Sequence, residues 1–472
     1  RPPALKVPHR CNRVQIHEHR AMMPPKPTPR PEKVSLWRYL KLFREDILSA
    51  QPAKLYRAWM AEFRTPFFRS YMINDPTLIN LVLKERPDDF PKSDRIGAGL
   101  RPLLGESVFL TNGETWKRQR RIIDPSFEGG RLRETFPAMW AAGEAAVVRM
   151  HGLADGQPHD IEPETSHAAA DVIFRTLFSI PIEDAVATRV FDEFRSYQRT
   201  QPILNLAAFI PGPTWMPRFF KSETKQTAKA IRSLITGLTE KRLKAIEAGD
   251  APDDLATKIM TTADPFTGET FTVAEMVDQV AIFFLAGHET SASALAWTLY
   301  MLALNPEWQD AVAQEAETLT QDFSSVSKLR KTRDVFREAL RLYPPVPMMV
   351  RETTCPENFR DRDVTKGAQV VLSPWHLHRH ERLWENPDGF DPDRWGTDAG
   401  KASARDAYMP FSSGPRVCTG AGFAMIEGVL LLAMIVKEFR FDIVDGKQPE
   451  PVAHLTVRAK DGMWLRFVPR DK

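Results

Sequence analysis

Apolar positions recur at helical spacing through most of this chain, and polar or proline-bearing breaks divide them into a succession of helices. Residues 36–62 read as one amphipathic helix, and residues 67–73 as a short strand. Asp75-Pro76 opens a helix over 77–85, with proline near the first helical position. The Gly-bearing stretch 94–113 reads as loop. Breaks at Pro211-Gly212-Pro213 and at 250–253 interrupt the helices that follow. Thr272 and Glu275 form a capping box that opens a long helix running to about Leu304, before Asn305-Pro306. Further helices are expected over 307–320, 332–342 (stopped by Pro344-Pro345-Val346-Pro347) and 419–440, with short strands and turns over 348–372. Near the end, 455–457 and 464–467 alternate around Asp461-Gly462, which predicts a hairpin. The fold class expected is mainly α with small β-sheets.

One cysteine lies just ahead of the last long apolar run. Cys418 sits in Phe411-Ser412-Ser413-Gly414-Pro415-Arg416-Val417-Cys418-Thr419-Gly420. A lone cysteine is most often a small buried side chain. Here a Gly- and Pro-bearing loop presents it, which suits a thiolate held against a flat metal cofactor. Thiolate is among the few protein ligands of haem iron, and it favours O–O cleavage. The pattern F-x-x-G-x-R-x-C-x-G resembles the haem-binding signature of the cytochrome P450 superfamily. Phe411, Gly414, Arg416, Cys418 and Gly420 match its specified positions. The resemblance implies a single haem-thiolate domain over 36–472, with haem b between a long distal helix and the Cys-bearing loop.

The long helix carries Ala286-Gly287-His288-Glu289-Thr290. Glycine in mid-helix costs about 1 kcal/mol against alanine, and room for a close-lying flat cofactor would explain Gly287. The Thr290 hydroxyl can bond back to the Ala286 carbonyl and bend the helix. The run resembles the family's acid–alcohol pair. Glu289 would be the acid and Thr290 the alcohol, delivering protons so that one oxygen atom leaves as water. His288 reads as a spacer.

Glu338 and Arg341 share a helix face, as residues three apart do. Glu128/Arg131 and Glu357/Arg360 have the same spacing, so spacing alone does not single the first pair out. The following Tyr343-Pro344-Pro345 and the later Pro392-Asp393-Arg394-Trp395 do. The resemblance implies that Glu338, Arg341 and Arg394 brace the cysteine loop. Trp116 and Arg120 match the family's W-x-x-x-R helix, and Arg351 and Arg416 its other contacts to the haem propionates. Arginine suits that work because its planar fork pairs with carboxylate. Lys117, Arg118 and Arg121 would form an exposed basic face for an acidic electron donor.

By resemblance, the substrate pocket comprises Val108, Phe109, Ile282, Phe283, Ala286, Val346, Met349 and Leu455, roofed by 202–219. These residues are almost all apolar, which argues for a lipophilic small molecule. The implied reaction inserts one atom of O2 into it. Electrons would come from NAD(P)H through a separate ferredoxin or flavodoxin/reductase, since no such domain is fused here. Two alternatives are a peroxide-using haem-thiolate enzyme and a non-catalytic haem sensor. Relatives that use peroxide tend to lack the acid–alcohol pair, and a sensor needs no proton relay.

Composition bounds the rest. The chain has 472 residues, 43% hydrophobic and 26% charged, which is globular usage. Cys11, Cys355 and Cys418 make no disulfide framework, as in a reducing compartment. Residues 1–33 carry eight Lys/Arg against Glu18 and Glu32, so the basic charge gathers in a Pro-rich arm (1–35) while the whole chain is only +3. The arm has two readings, a solvated extension or a contact with an acidic lipid or protein surface. No apolar run reaches the roughly 20 residues of a membrane span. The chain begins at Arg1, which is compatible with a trimmed segment. There is no nucleic-acid motif. The expectation is a cytoplasmic monomer, with peripheral membrane contact left open.

Overall fold

The long helix Val273–Leu304 is the axis of the molecule, and the capping box at its start is formed. Thr272 Oγ1 accepts from Glu275 N at 3.3 Å, and the Glu275 carboxylate accepts from Thr272 N at 2.8 Å. The helix is apolar nearly all round, as a helix buried inside a large domain must be. It packs against Glu162–Phe178, Ser222–Ala248, Arg330–Leu342 and the C-terminal helix Ala421–Glu438. This computed structural model describes residues 23–64, 69–200, 222–453 and 455–470. The arm before residue 23 and the expected roof at 202–219 lie outside the described residues.

Among the described residues, four small sheets flank the helices. The strands are β1 (Met60–Arg64), β2 (Arg69–Ile73), β3 (Pro158–Asp160), β4 (Met349–Glu352), β5 (Glu357–Phe359), β6 (Arg362–Val364), β7 (Gln369–Leu372), β8 (Phe439–Ile443), β9 (Pro451–Ala453), β10 (Val457–Ala459) and β11 (Trp464–Pro469). The largest sheet has the order β1-β2-β7-β4. It is antiparallel except where β2 runs parallel to β7, Ser70 opposite Gln369. β5 and β6 form a hairpin across Arg360-Asp361. Both turn residues have positive φ, the geometry that matches strand twist. A helical core around Trp297, Phe174 and Leu432 and a smaller one around Tyr71, Phe359 and Trp384 hold the two parts.

Several sequence expectations are corrected. Residues 36–62 are not one helix. The helix is Leu36–Glu45, a 3-10 turn follows at Ala53–Tyr56, and β1 begins at Met60. Asp46 ends the helix, because its carboxylate accepts from the backbone N–H groups of Leu48 and Ser49 and turns the chain. Residues 94–113 are not all loop. Asp94–Leu104 is helical despite Gly97, Gly99 and Pro102, because it buries Leu103 and Leu104 completely. Burial outweighs local propensity there. The hairpin around Asp461-Gly462 does not form. β10 pairs with β9, while β11 pairs with β3 and β8.

The start of the described chain is tied down. Tyr343 donates its hydroxyl to the Pro25 carbonyl at 2.8 Å, and Lys26 pairs with Asp388 at 2.9 Å while lying 3.7 Å from the Tyr56 ring centroid. No helix among the described residues is long and apolar enough to cross a membrane.

Candidate active site

The cysteine loop is fixed from several sides. Gly414 has φ +73°, and a Cβ there would overlap the Leu83 carbonyl oxygen, so only glycine fits. Cys418 N donates to Phe411 O at 2.9 Å and Val417 N to Gly414 O at 3.0 Å. Arg120 Nη1 donates to Val417 O at 2.8 Å, and Thr419 Oγ1 to Asp124 at 3.1 Å. Cys418 is solvent-accessible, yet protein surrounds it closely enough to push its thiol pKa up. The Gly420 N–H, Arg120 and Lys92 act the other way. A thiol kept protonated by desolvation alone is a poor nucleophile; a metal can take the proton's place.

Beside the cysteine lies a group of cations without carboxylates. Arg351 is buried and Arg416 half-buried. Desolvation holds each guanidinium down at about 10. Burial holds Lys92 well below the usual lysine range, and Arg351, Arg416 and Arg120 depress it further. The bonds these side chains make go to neutral groups. Lys92 Nζ donates to Phe109 O at 2.6 Å and Arg351 to Val350 O at 3.2 Å. Arg416 donates to Thr111 O at 3.1 Å and Asn112 Oδ1 at 2.8 Å. Trp116 is buried, with the Arg416 guanidinium 4.2 Å from its ring centroid. Unpaired buried cations are costly, so the cluster suits an anionic occupant. Lys92 was missed in the sequence, where it is one lysine in a polar loop. Only the β-bridge that pairs it with Arg351 shows its place.

The expected basic face over the cysteine side is largely neutralised. Arg118 pairs with Glu275 at 2.7 Å, Arg121 with Asp264 at 2.5 Å and Lys117 with Glu114 at 3.1 Å. Behind the loop, Arg333, Arg337, Tyr408, Phe411 and Met425 line an open hollow of about 540 Å³.

Ala286 is exposed at the middle of the long helix, with Phe283, Gly287, Thr290 and Ser291 half-open beside it. This face borders a space that protein does not fill. Thr290 Oγ1 donates to Ala286 O at 2.6 Å, as expected. Glu289 turns elsewhere. It is buried and accepts from Thr456 Oγ1 at 2.8 Å and Arg458 Nη2 at 2.9 Å, and Arg458 reaches solvent. Consecutive helix residues project about 100° apart, so the acid and the alcohol serve different faces. For Gly287 the structure adds a packing reason: a Cβ there would come within 2.5 Å of Ile173 Cδ1. His288 is buried, 2.6 Å from Ser166 Oγ, and burial holds it neutral, its pKa down at about 3.

Of the expected pocket residues, Val108, Phe283, Val346, Met349 and Leu455 are half-buried, Phe109 is exposed and Ile282 is buried. Val108 N donates to Gln279 Oε1 at 2.9 Å, which ties its loop to the long helix.

Glu338, Arg341 and Arg394 meet. The Glu338 carboxylate takes both forks of Arg341, at 2.8 and 3.0 Å, and Arg394 Nε at 3.0 Å; Glu338 and Arg341 have no exposed surface. The other two E-x-x-R spacings diverge: Arg131 pairs with Glu134 and Asp253, Glu357 with Arg86, and Arg360 with Asp75. Arg341 also donates to the carbonyls of His378, Pro387 and Gly389. His378 Nδ1 bonds the Arg341 carbonyl at 3.1 Å, and its Nε2 accepts from Met409 N at 2.9 Å, two residues before Phe411. His378 is therefore the link from triad to loop, and the sequence offered no signal for it.

The cytochrome P450 family model matches residues 28–465. The chain belongs to the cytochrome P450 family. It is 30% identical over 409 residues to Cytochrome P450 CYP72A616 of Paris polyphylla, covering 83% of this chain and 78% of that protein. A cytokinin hydroxylase of Arabidopsis thaliana is 30% identical over 385 residues (79% of this chain, 73% of that one), and the cyclooctatin synthase of Streptomyces melanosporofaciens 29% over 380 (79% and 80%). The crystal structure of the cytochrome P450DA heme domain superposes with a TM-score of 0.79 at 23% identity, covering 95% of this chain and 99% of that one, which bears on the fold alone. This P450 is thus a haem monooxygenase. Haem fits the residues present. Its two carboxylates answer the uncompensated Lys92, Arg351 and Arg416, and its flat ring answers the helix face left open at Ala286.

Proposed function

We propose that this P450 inserts one atom of O2 into a lipophilic small molecule, using electrons that a separate ferredoxin- or flavin-type partner draws from NAD(P)H. When bound through Cys418, haem supplies O–O cleavage. Trp116, Arg120, Arg351, Arg416 and Lys92 hold its propionates, and Phe411, Gly414 and Gly420 shape the loop at the sulfur. Glu338, Arg341 and Arg394 brace that loop through His378. Thr290, its own proton given to the Ala286 carbonyl, turns its Oγ1 lone pairs to the open helix face to hold a proton-bearing water there, and Glu289, paired with solvent-reaching Arg458, passes protons inward from water. The partner docks behind the cysteine loop, at the hollow lined by Arg333 and Arg337.

The Thr290–Ala286 bond, on the face left open at the middle of a largely buried helix, carries the reading. Apolar Val108, Phe283, Val346, Met349 and Leu455 support a lipophilic substrate. Two measurements test it. Reduced protein under CO should show the far red-shifted Soret band of thiolate ligation, lost in Cys418→His. Lipophilic compounds that shift the ferric Soret band to high spin should then be oxidised with NADPH and a surrogate ferredoxin pair. Turnover with peroxide alone, and none with reductant and O2, would overturn the monooxygenase route.

A further inference from the structure

Two buried polar groups lie unpaired in the seam between the long helix and the loop at Val108. Gln279 has no exposed surface. Val108 N donates to its Oε1 at 2.9 Å, which fixes the orientation of the amide, so Nε2 is the donor left over. That Nε2 is buried without a hydrogen-bond partner, and so is the Oγ of Ser107, the residue before Val108. A slack loop is not the cause, because its backbone is held at several points. Asp278 accepts from Glu106 N at 2.9 Å, Gln119 Nε2 donates to Glu106 O at 2.6 Å, and Arg232 Nη1 donates to Leu103 O at 3.0 Å. Stranding a buried donor is costly, and folded proteins leave few. Two in one seam mark a polar patch beside otherwise apolar pocket residues. Position on the helix says what the amide faces. Gln279, Phe283, Ala286 and Thr290 follow one another at helical spacing. Gln279 and Ala286, seven apart, project within about 20° of one another and lie about 10 Å apart along the axis. This stripe is closed at Gln279, half-buried at Phe283 and exposed at Ala286.

We infer that Gln279 selects the substrate: its Nε2 donates to an uncharged oxygen, carbonyl or hydroxyl, about 10 Å from the part of the molecule that lies at Ala286. Phe283, one turn along the stripe and with its ring 5.8 Å from that of Phe127, separates the amide from the open face and swings aside to admit the oxygen. The clamp on Val108 needs only the amide oxygen, so the N–H groups are free for this second task. A carboxylate would need a cation, and Arg232, which reaches this seam, is already paired with Asp278 at 2.7 Å. The substrate class thus narrows from lipophilic to lipophilic with one buried neutral oxygen at a set distance from the site of attack.

This role for Gln279 rests on the proposed oxidation of lipophilic molecules, and the test separates the two. Linear and fused-ring ketones are each titrated into the holoenzyme beside the hydrocarbon of the same skeleton, following the ferric Soret shift. Where the oxygen lies about 10 Å from the far end of the skeleton, the wild type should bind the ketone about tenfold or more tighter, the worth of one hydrogen bond to a buried donor. Gln279→Leu should abolish that preference and leave hydrocarbon affinity within about twofold. Equal affinity for ketone and hydrocarbon in the wild type overturns the role of Gln279 while the monooxygenase reading stands. So does a ketone preference that survives Gln279→Leu, or a loss of affinity for both compounds alike, which marks the amide as a loop clamp only. Tighter binding of the matched carboxylic acid overturns the uncharged class. If Gln279→Leu fails to fold, the wild type decides alone, by whether the ketone preference peaks at that distance or is indifferent to it. Should neither kind of compound be bound or oxidised, the proposed function fails and the role of Gln279 with it.

Discussion

Thr290 Oγ1 spends its proton on the Ala286 carbonyl at 2.6 Å, so the hydroxyl lone pairs are what the cavity meets. The alcohol is therefore oriented before any ligand arrives. Thr290→Ala should leave folding and haem content near wild type and uncouple turnover, with O2 consumed, peroxide released and product falling about a hundredfold, the low end of what a positioned proton-transfer group contributes. Thr290→Ser should keep most of the coupling. The measurement is the ratio of product to NADPH oxidised.

Glu338 faces two arginines and has no solvent-exposed surface. Glu338→Gln strands buried positive charge and should cost about 3–5 kcal/mol, read from urea unfolding, with haem retention falling in parallel because His378 loses its support. Replacing Glu338, Arg341 and Arg394 together by apolar residues should destabilise less than the single change.

Gly287 faces Ile173 across a helix contact. Gly287→Ala gains about 1 kcal/mol of helix propensity but overpacks the contact by about 1–3 kcal/mol, so a net loss of up to about 2 kcal/mol is expected. Ile173→Val in the same chain removes the overlapping Cδ1 and should restore stability. A cofactor-facing role for Gly287 would show instead as an altered Soret spectrum that Ile173→Val does not repair.

Four buried histidines make the fold sensitive to acid. Burial holds His288, His376 and His378 down at about 3 and lowers His380 as well. Below about pH 6.5 the unfolded chain takes up protons that the native chain refuses, so stability falls as pH drops from there towards 3 and is unaffected above. Each histidine contributes up to about 1.4 kcal/mol per pH unit in that window. Denaturant midpoints across the range measure the slope, and His288→Gln should flatten it by about a quarter.

The cysteine loop could be read from sequence because its demands are local. Gly414 needs positive φ, Cys418 must follow at fixed spacing, and both lie within ten residues. Thr290 and Ala286 were equally legible, since one helical turn joins them. What escaped depends on distant partners. Lys92 gains meaning only beside Arg351, and His378 only between Arg341 and Met409. The helix at Asp94–Leu104 was missed for a related reason. Its glycines and proline argue against a helix locally, and the burial of Leu103 and Leu104 that overrules them is a property of the assembled core. The false hairpin at Asp461-Gly462 followed from treating neighbours in sequence as neighbours in the sheet, whereas β11 finds β3 some 300 residues away.

Lys92 reaches two places at once. Its ammonium belongs to the cation cluster beside the cysteine and also holds the backbone of Phe109, on the loop expected to meet substrate. On the function proposed above, choice of substrate and grip on the cofactor would be wired to one side chain. An engineer who randomises positions 108 and 109 to admit a new molecule would be selecting, unawares, for how firmly the enzyme keeps its pigment.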